Sequence, residues 1–348
     1  MIAMGRQFKL GDVTVQPGQV GKGELGSVEM ADSSRSPVPL IVVNGAKEGP
    51  ILAVVCAIHG NELSAIGAFL EVVSSIDPKR LSGTLVGIPG GNPLAVRSGA
   101  YITTVDGVNL SGPWYLPPQE KKRATITQRM AYYINDALEA AEYVIDMHAN
   151  PLPSMPFVLK GTEIAPDDRT KAEVNNMARS FGTTIISSRG THTTNIRASC
   201  TKAGKPAITA ELAGNIYLWD EVNIVGARGV RNVMRAIGML DSEMEKQDVV
   251  AMQGDFVFCD YLVAQRGGLM FVRRAPGEYV PKGEPVVDIL DVYGDLVEQV
   301  TMPLNGYCWS FTGGSGGSHA VSEGDKLAYV FAEASELDGR EPYAGKPV

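Results

Sequence analysis

The chain has 348 residues, 44% of them hydrophobic and 20% charged, with a formal net charge of -8. That balance fits a soluble globular protein with a large core, in one big domain or two of ordinary size, and excludes a disordered or collagen-like chain. An acidic chain disfavours nonspecific nucleic-acid binding, and no stretch reaches the roughly 18 to 20 uninterrupted apolar residues of a membrane helix. Small molecules are therefore the expected partners, with no nucleic acid and no membrane; self-association into a homo-oligomer stays open.

The N-terminus, "MIAMGRQFKLGD", carries no apolar signal segment, so a cytoplasmic location is expected by default. Cys56, Cys200, Cys259 and Cys308 are scattered with no CxxC pair. They read as reduced thiols, neither a zinc ribbon nor a disulfide framework.

The first 40 residues, rich in Gly, Val and Ser, read as short strands and turns. From Pro50 an apolar strand, Ile51 to Ala57, is followed by "ELSAIGAFLEVVSSI", whose Leu63, Ile66, Leu70 and Val73 recur at helical spacing. "GTLVGIPGG" is a second strand. After a loop rich in Gly, Pro and aromatics, "ATITQRMAYYINDALEAA" resumes a helix and "EYVIDMHAN" a strand. "RTKAEVNNMARSFG" and "GKPAITAELAGN" supply another helix and strand, and "YLWDEVNIVGARGVRNVMRAIGML" an amphipathic helix. Alternation of this kind predicts an α/β fold, helices flanking a mainly parallel or mixed sheet, with the chemistry collected at strand ends. Past "DSEMEKQDVVAMQGD" short strands are punctuated by Gly and Pro, as in a small barrel or sandwich. The expected division is residues 1–245 as a catalytic α/β domain and 246–348 as a smaller all-β domain.

With four histidines in the chain, two stand at the ends of predicted strands beside carboxylates. "AIHGNELSA" places His59 and Glu62 on one turn, three residues apart. "YVIDMHAN" places Asp146 and His148 on one face of a strand end. A catalytic zinc takes three protein ligands, imidazole or carboxylate where thiolate is absent, and leaves one position for water. His59, Glu62 and His148 are the candidate ligands. Asp146 is the candidate acid that fixes the tautomer of a ligating imidazole. Glu211, at the end of the strand in "KPAITAELAG", is the candidate general base. Read singly, each of these is an ordinary strand end; their order, each after an apolar strand, makes the case. His192, in "SSRGTHTTNIRAS", is either a substrate-pocket residue or a solvated loop residue, and His319 reads as a loop residue.

At "HGNE", "GGNPLAVRSGAY", "DGVNL", "IDMH", "ITAELAG" and the β-rich tail the chain resembles the succinylglutamate desuccinylase and aspartoacylase family, a branch of the zinc carboxypeptidase fold. The resemblance spans most of residues 45 to 332. It implies a zinc carboxypeptidase-like sheet, one Zn2+ per chain on His59, Glu62 and His148, and Glu211 activating water. The implied activity is hydrolysis of a linear amide in a small N-acylated amino acid or related amide.

The departures bear on the substrate. Family members usually continue "DGVNL" with asparagine and arginine, which grip a substrate carboxylate; here Asn109 is followed by Leu110, Ser111 and Gly112. Aspartoacylases also place an arginine before the tyrosine of the "NP" loop, whereas this chain has Ala100 before Tyr101, with Arg97 three residues earlier. Ser or Gly cannot replace a bidentate guanidinium, so N-acetylaspartate and succinylglutamate are poor substrate candidates. Arg97 for catalysis, and Asn109, Arg189, His192 and Arg197 for substrate binding, are the candidates that remain. The plainer reading of the arginines is pairing with surface acids.

The tail resembles the hammerhead barrel of biotinyl and lipoyl modules, as the family's C-terminal part does. A carrier would show a modifiable lysine at its hairpin tip, and "DVYGDL" has none. The rival readings are a peptide-cleaving metallocarboxypeptidase, a noncatalytic relative that keeps the fold, and a carrier module.

Overall fold

The computed structural model describes residues 5–113, 115, 123–189, 193–313 and 318–337. Two hairpins open the chain: β1 (Phe8–Leu10) with β2 (Val13–Val15), and β3 (Gln19–Glu29) with β4 (Arg35–Asn44). The α/β run follows: β5 (Lys47–Cys56), α1 (Leu63–Ser75), β6 (Ser82–Ile88), α2 (Pro93–Ser98), α3 (Ile126–Ala140), β7 (Tyr143–Ala149), β8 (Phe157–Lys160), α4 (Asp168–Phe181), β9 (Thr184–Ser187), α5 (Ile196–Lys202), β10 (Ala207–Leu212) and α6 (Asp220–Ala236). The tail comprises β11 (Phe256–Val263), β12 (Gly268–Val272), β13 (Tyr279–Val280), β14 (Pro285–Leu290), β15 (Leu296–Thr301), β16 (Gly306–Cys308), β17 (Ala320–Val321) and β18 (Lys326–Glu333).

Twelve strands form one mixed sheet in the order β13-β16-β18-β11-β9-β8-β10-β7-β5-β6-β4-β3. Its centre is parallel: β6, β5, β7 and β10 run together, with Ala53 opposite Val144 and Ile208 opposite Ile145. Strands buried on both faces carry unbroken apolar runs, and β5 does so. Leu52, Val54 and Cys56 join the core under α1, α4 and α6, while Ala53 and Val55 join the opposite core with Met130 and Ile134 of α3 and Ile196 of α5.

The helices explain themselves locally. Thr125 caps α3 in a reciprocal pair with Gln128, Asp167 caps α4, and left-handed Gly182 ends α4. The predicted stripe on α1 is displaced by about one position: Ala65, Ala68, Phe69 and Val72 are buried, whereas Leu70 is exposed. The alanines let α1 lie close to α6, where Gly226 packs against Ala68, and Phe69 reaches the sheet over Gly87. The predicted helices and strands do not include β8, α5 or β9, whose four to seven residues are too short for periodicity to show.

Residue 245 marks a change in style and not an end to the sheet. β11 pairs with β9 in parallel, and β18, β16 and β13 extend the same sheet, while β15, β14, β12 and β17 form a separate four-stranded antiparallel sheet. The hairpin tip "DVYGDL" joins β14 to β15 and holds Val292 and Tyr293 in solvent. All four cysteines are buried free thiols. No helix among the described residues is long and apolar enough to cross a membrane.

Candidate metal centre at the C-terminal edge of the sheet

β5, β7 and β10 are parallel neighbours, so residues that leave their C-terminal ends arrive together. His59 follows β5, His148 lies near the end of β7, and Glu211 sits directly opposite His148 in β10. The turn after β5 is held from beneath. Ala57 adopts φ +51°, a left-handed conformation costly for a residue with a Cβ, and its carbonyl accepts from Asn92 N at 3.0 Å. Asn92, fully buried, also accepts from Ala95 N and donates through Nδ2 to the Ile58 carbonyl and Thr103 Oγ1. A Cβ on Gly60 would stand 2.0 Å from the Ala95 carbonyl carbon, so the glycine of "HGNE" lets α2 close on the turn. Glu62 begins α1 without capping it, leaving its carboxylate at the positive end of the helix and aimed at the histidines.

Glu62 Oε1 lies 2.8 Å from His59 Nδ1, and Oε2 lies 3.0 Å from His148 Nδ1. One ligand atom from each of the three side chains falls within 4.8 Å of the others, and all three residues are buried. Zinc ligands at about 2.1 Å and tetrahedral angles are about 3.4 Å apart, close to these separations. Glu62 Oε2 makes no aligned hydrogen bond despite its closeness to His148, the disposition of two ligand atoms facing a common point. Asp146 Oδ1 takes the other ring nitrogen of His148 at 3.1 Å. With Nε2–H donated to Asp146, the Nδ1 lone pair of His148 is left towards Glu62. This donor set suits a divalent cation such as zinc.

The electrostatics agree. Burial alone would raise the Glu62 carboxyl, but the His148 and His59 imidazoles hold it down to about 2. Burial opposes charge on His148; Asp146 and Glu62 overcome it and raise its pKa well above the imidazole value. Positive charge is therefore favoured between these acids. Glu211 stands apart: burial pushes it up to about 7, with His148 opposing the rise, Glu62 and Asp146 adding to it, and a 2.9 Å hydrogen bond from Asn150 Nδ2 restraining it.

The remaining candidates scatter. Arg197 is fully buried on α5, its charge held by Glu163, Asp146 and Glu211 even though burial lowers its pKa. Its guanidinium packs over Gly161, where a Cβ would stand 2.2 Å from Nη1. Arg97 is exposed in the last turn of α2, and its charge acts on Asp32 in the β3–β4 turn; among the described residues it makes no ion pair with the cluster. Arg189 pairs with Asp255 at 3.2 Å, before β11. Asn109 accepts from Ser111 N in a local turn and is exposed, while Leu110 is buried. His192 lies outside the described residues, and His319 is exposed.

Two neighbours escape the strand-end pattern. Tyr101 stacks on His59 with ring centroids 3.9 Å apart and an interplanar angle of 13°. The left-handed cap at Gly99 turns the chain after α2 and returns the tyrosine to the turn. The "GGNPLAVRSGAY" segment was legible as a motif, but the partner of its tyrosine was not. Asn150, two residues beyond His148, is visible only once β7 and β10 are paired.

Buried imidazoles and acids converging at the carboxyl ends of parallel strands make this an α/β protein with a candidate metal site. Comparison narrows that class. The model of the succinylglutamate desuccinylase/aspartoacylase catalytic domain matches residues 48–237, and the chain belongs to this family. It is 22% identical over 261 residues to the N-alpha-acetyl-L-2,4-diaminobutyric acid deacetylase of Halomonas elongata, covering 73% of this chain and 74% of that one. Among solved structures, the product-bound ectoine utilization protein EutE of Ruegeria pomeroyi superposes with a TM-score of 0.77 at 22% identity, covering 90% of this chain and 95% of that one. A succinylglutamate desuccinylase from Silicibacter sp. TM1040 also gives 0.77 at 22% identity, covering 92% and 97%. At these identities the superpositions establish a shared fold.

Proposed function

We propose that the protein is a zinc-dependent amidohydrolase that removes the acyl group from a small N-acylated amino acid or related amide. The observation that carries this reading is the convergence of His59, Glu62 and His148, with ligand atoms within 4.8 Å, beside a buried carboxyl whose pKa is raised to about 7. The deacetylase and desuccinylase names of the relatives support the same reaction class.

A zinc ion held by His59, Glu62 and His148 would polarise the amide carbonyl and acidify water. Glu211 accepts a proton from the attacking water and delivers it to the departing amine. A carboxyl near pH 7 serves both acts, since it gains and loses a proton at similar cost. Asn150 keeps Oε2 of Glu211 oriented. Asp146 holds His148 in one tautomer, and Tyr101 fixes the plane of His59. Arg197, fully buried on α5, is assigned to balancing the charge of Asp146 and Glu211 and not to the substrate. Arg97, Arg189 and Asn109 have local partners or solvent around them and are assigned no step.

The substrate is a small molecule in the cytoplasm, and the tail, residues 246–348, acts as a structural or gating part. Metal analysis with a panel of N-acyl amino acids tests this. One zinc per chain and chelator-sensitive release of acid are expected. Glu211→Gln that keeps zinc and near-normal turnover would show the assigned base to be wrong.

A further inference from the structure

Large apolar side chains in solvent are unevenly distributed around the α/β layer. Four consecutive ones, Ile216 (54% exposed), Tyr217 (42%), Leu218 (59%) and Trp219 (49%), follow the end of β10. Leu152 (43%) follows β7, and Tyr101 (40%) lies on His59. Leu152 and the Ile216–Trp219 run leave the sheet at the strand ends that carry His148 and Glu211. The Ile216–Trp219 run is tied to the metal centre by its backbone. The Asn215 carbonyl accepts from Ser64 N at 2.9 Å, two residues past Glu62, and Asn215 itself holds φ +41°. Ile216 therefore begins within about 10 Å of the Glu62 backbone, given at most about 3.6 Å per residue. Tyr217 N closes a turn on the Gly214 carbonyl at 2.7 Å, and the Tyr217 and Trp219 rings meet edge to face at 5.0 Å. The run is an ordered ledge with its apolar side chains outward.

A ledge of this kind is at odds with compact, doubly charged substrates. Where the family pattern carries an asparagine-arginine clamp, this chain has Asn109 turned into a local bend and Leu110 buried. A run of exposed apolar residues marks a binding surface, and its backbone tie to the start of α1, where Glu62 stands, points to an apolar group of the substrate as the occupant.

We propose that the ledge of Ile216, Tyr217, Leu218 and Trp219 binds an extended apolar substituent of the substrate. The preferred substrate is then an amide with a medium-length alkyl or aromatic group on its acyl or amine side. This rests on the amidohydrolase reading for its placement of the scissile bond.

The test uses the zinc-loaded full chain and compares kcat/KM for N-acetylglycine, N-octanoylglycine and N-acetyloctylamine. At least one octyl substrate should exceed N-acetylglycine by about thirtyfold or more, on the order of twofold per methylene half-buried on an open ledge. Which one does so tells the acyl side from the amine side. The double substitution Leu218→Ser, Trp219→Ser should collapse that ratio to within about threefold, mainly through KM. Cleavage of N-acetylglycine with no gain for either octyl substrate overturns the ledge and leaves the amidohydrolase reading standing. If no amide is cleaved, Glu211→Gln protein titrated with the two octyl amides decides: a saturable blue shift of tryptophan emission, lost in Trp219→Phe, upholds the ledge, and its absence overturns it. A concentration-dependent dimer in sedimentation that Trp219→Ser dissolves also overturns it, because a second copy is then the occupant.

Discussion

Two carboxyls in this molecule behave in opposite ways. Glu211, at the edge of the large sheet, is raised to about 7 because burial acts on it while a neutral amide is its hydrogen-bond donor. Asp288, in β14 of the four-stranded sheet, is lowered: Gln299 donates to one oxygen at 3.0 Å and Arg273 to the other at 2.7 Å. Glu211 lies deep and is kept ready to take a proton, whereas Asp288 lies shallower and is a satisfied structural acid. Depth and partners together decide what an acid can do. The same contrast extends outward. Where β11 and β18 join the large sheet the packing is a set of edge-to-face rings, Phe331 against Phe157, Phe258 and Trp309, whereas the C-terminal ends of β5, β7 and β10 gather Glu62, Asp146 and Glu211 around two imidazoles.

The contrast breaks first at the metal centre. His148→Ala should abolish stoichiometric zinc and lower turnover by on the order of 10³-fold or more, read by metal analysis and chelator-sensitive deacylation, while thermal unfolding stays cooperative. Glu211→Gln should retain zinc and lose about 10²- to 10⁴-fold in kcat.

Stability should move in opposite directions in the two regions. Phe331→Ala removes a fully buried ring and should cost about 3–5 kcal/mol in denaturant melts without altering zinc stoichiometry in the folded fraction. In metal-free protein, Glu211→Gln should stabilise. The folded carboxyl, near 7, holds its proton above the unfolded value near 4.3, so the folded state binds more protons between those pH values and stability falls as pH rises through them. Glutamine has no such decline. The gap between variant and wild type should grow from near zero at pH 4 to on the order of 3 kcal/mol at pH 8, and a constant gap would refute the assignment.

A smaller effect sharpens the comparison. Asn150→Ala takes away the hydrogen bond that restrains Glu211, so the acid limb of kcat/KM should move to higher pH, by about half a unit to one unit. Smaller still, Asp288→Asn should cost about 1 kcal/mol or less at pH 7. Because the folded pKa of Asp288 is depressed, its contribution is present above the unfolded value near 3.9 and is lost as pH falls through the folded one, so the variant's deficit should shrink below about pH 4.

Much of this was readable beforehand, for a physical reason. β5, β7 and β10 are central parallel strands, so their sequences are unbroken apolar runs and their ends stand out wherever His, Asp or Glu interrupts them. The α1 stripe is displaced because its inner face mixes alanines, which hydrophobicity ranks low, with Phe69, whose ring fits over Gly87 of the neighbouring strand. Tyr101 and Asn150 were unreadable because their roles come from cross-chain geometry: a ring returned by a left-handed cap, and an amide facing the neighbouring strand. Arg97 and Arg189 looked like Arg197 in the text, and burial alone separated them.

The amino-acid order by itself determined which strands are central, where each ends and which ligand types stand at those ends, because burial on both faces writes itself as composition. Tertiary structure decided that those ends meet, that one sheet runs on past residue 245, and which arginine is brought among the acids. These depend on strand order and register, which join residues as distant as Leu52 and Tyr143 through backbone hydrogen bonds that every residue type makes alike, so side-chain identity leaves no local trace of them.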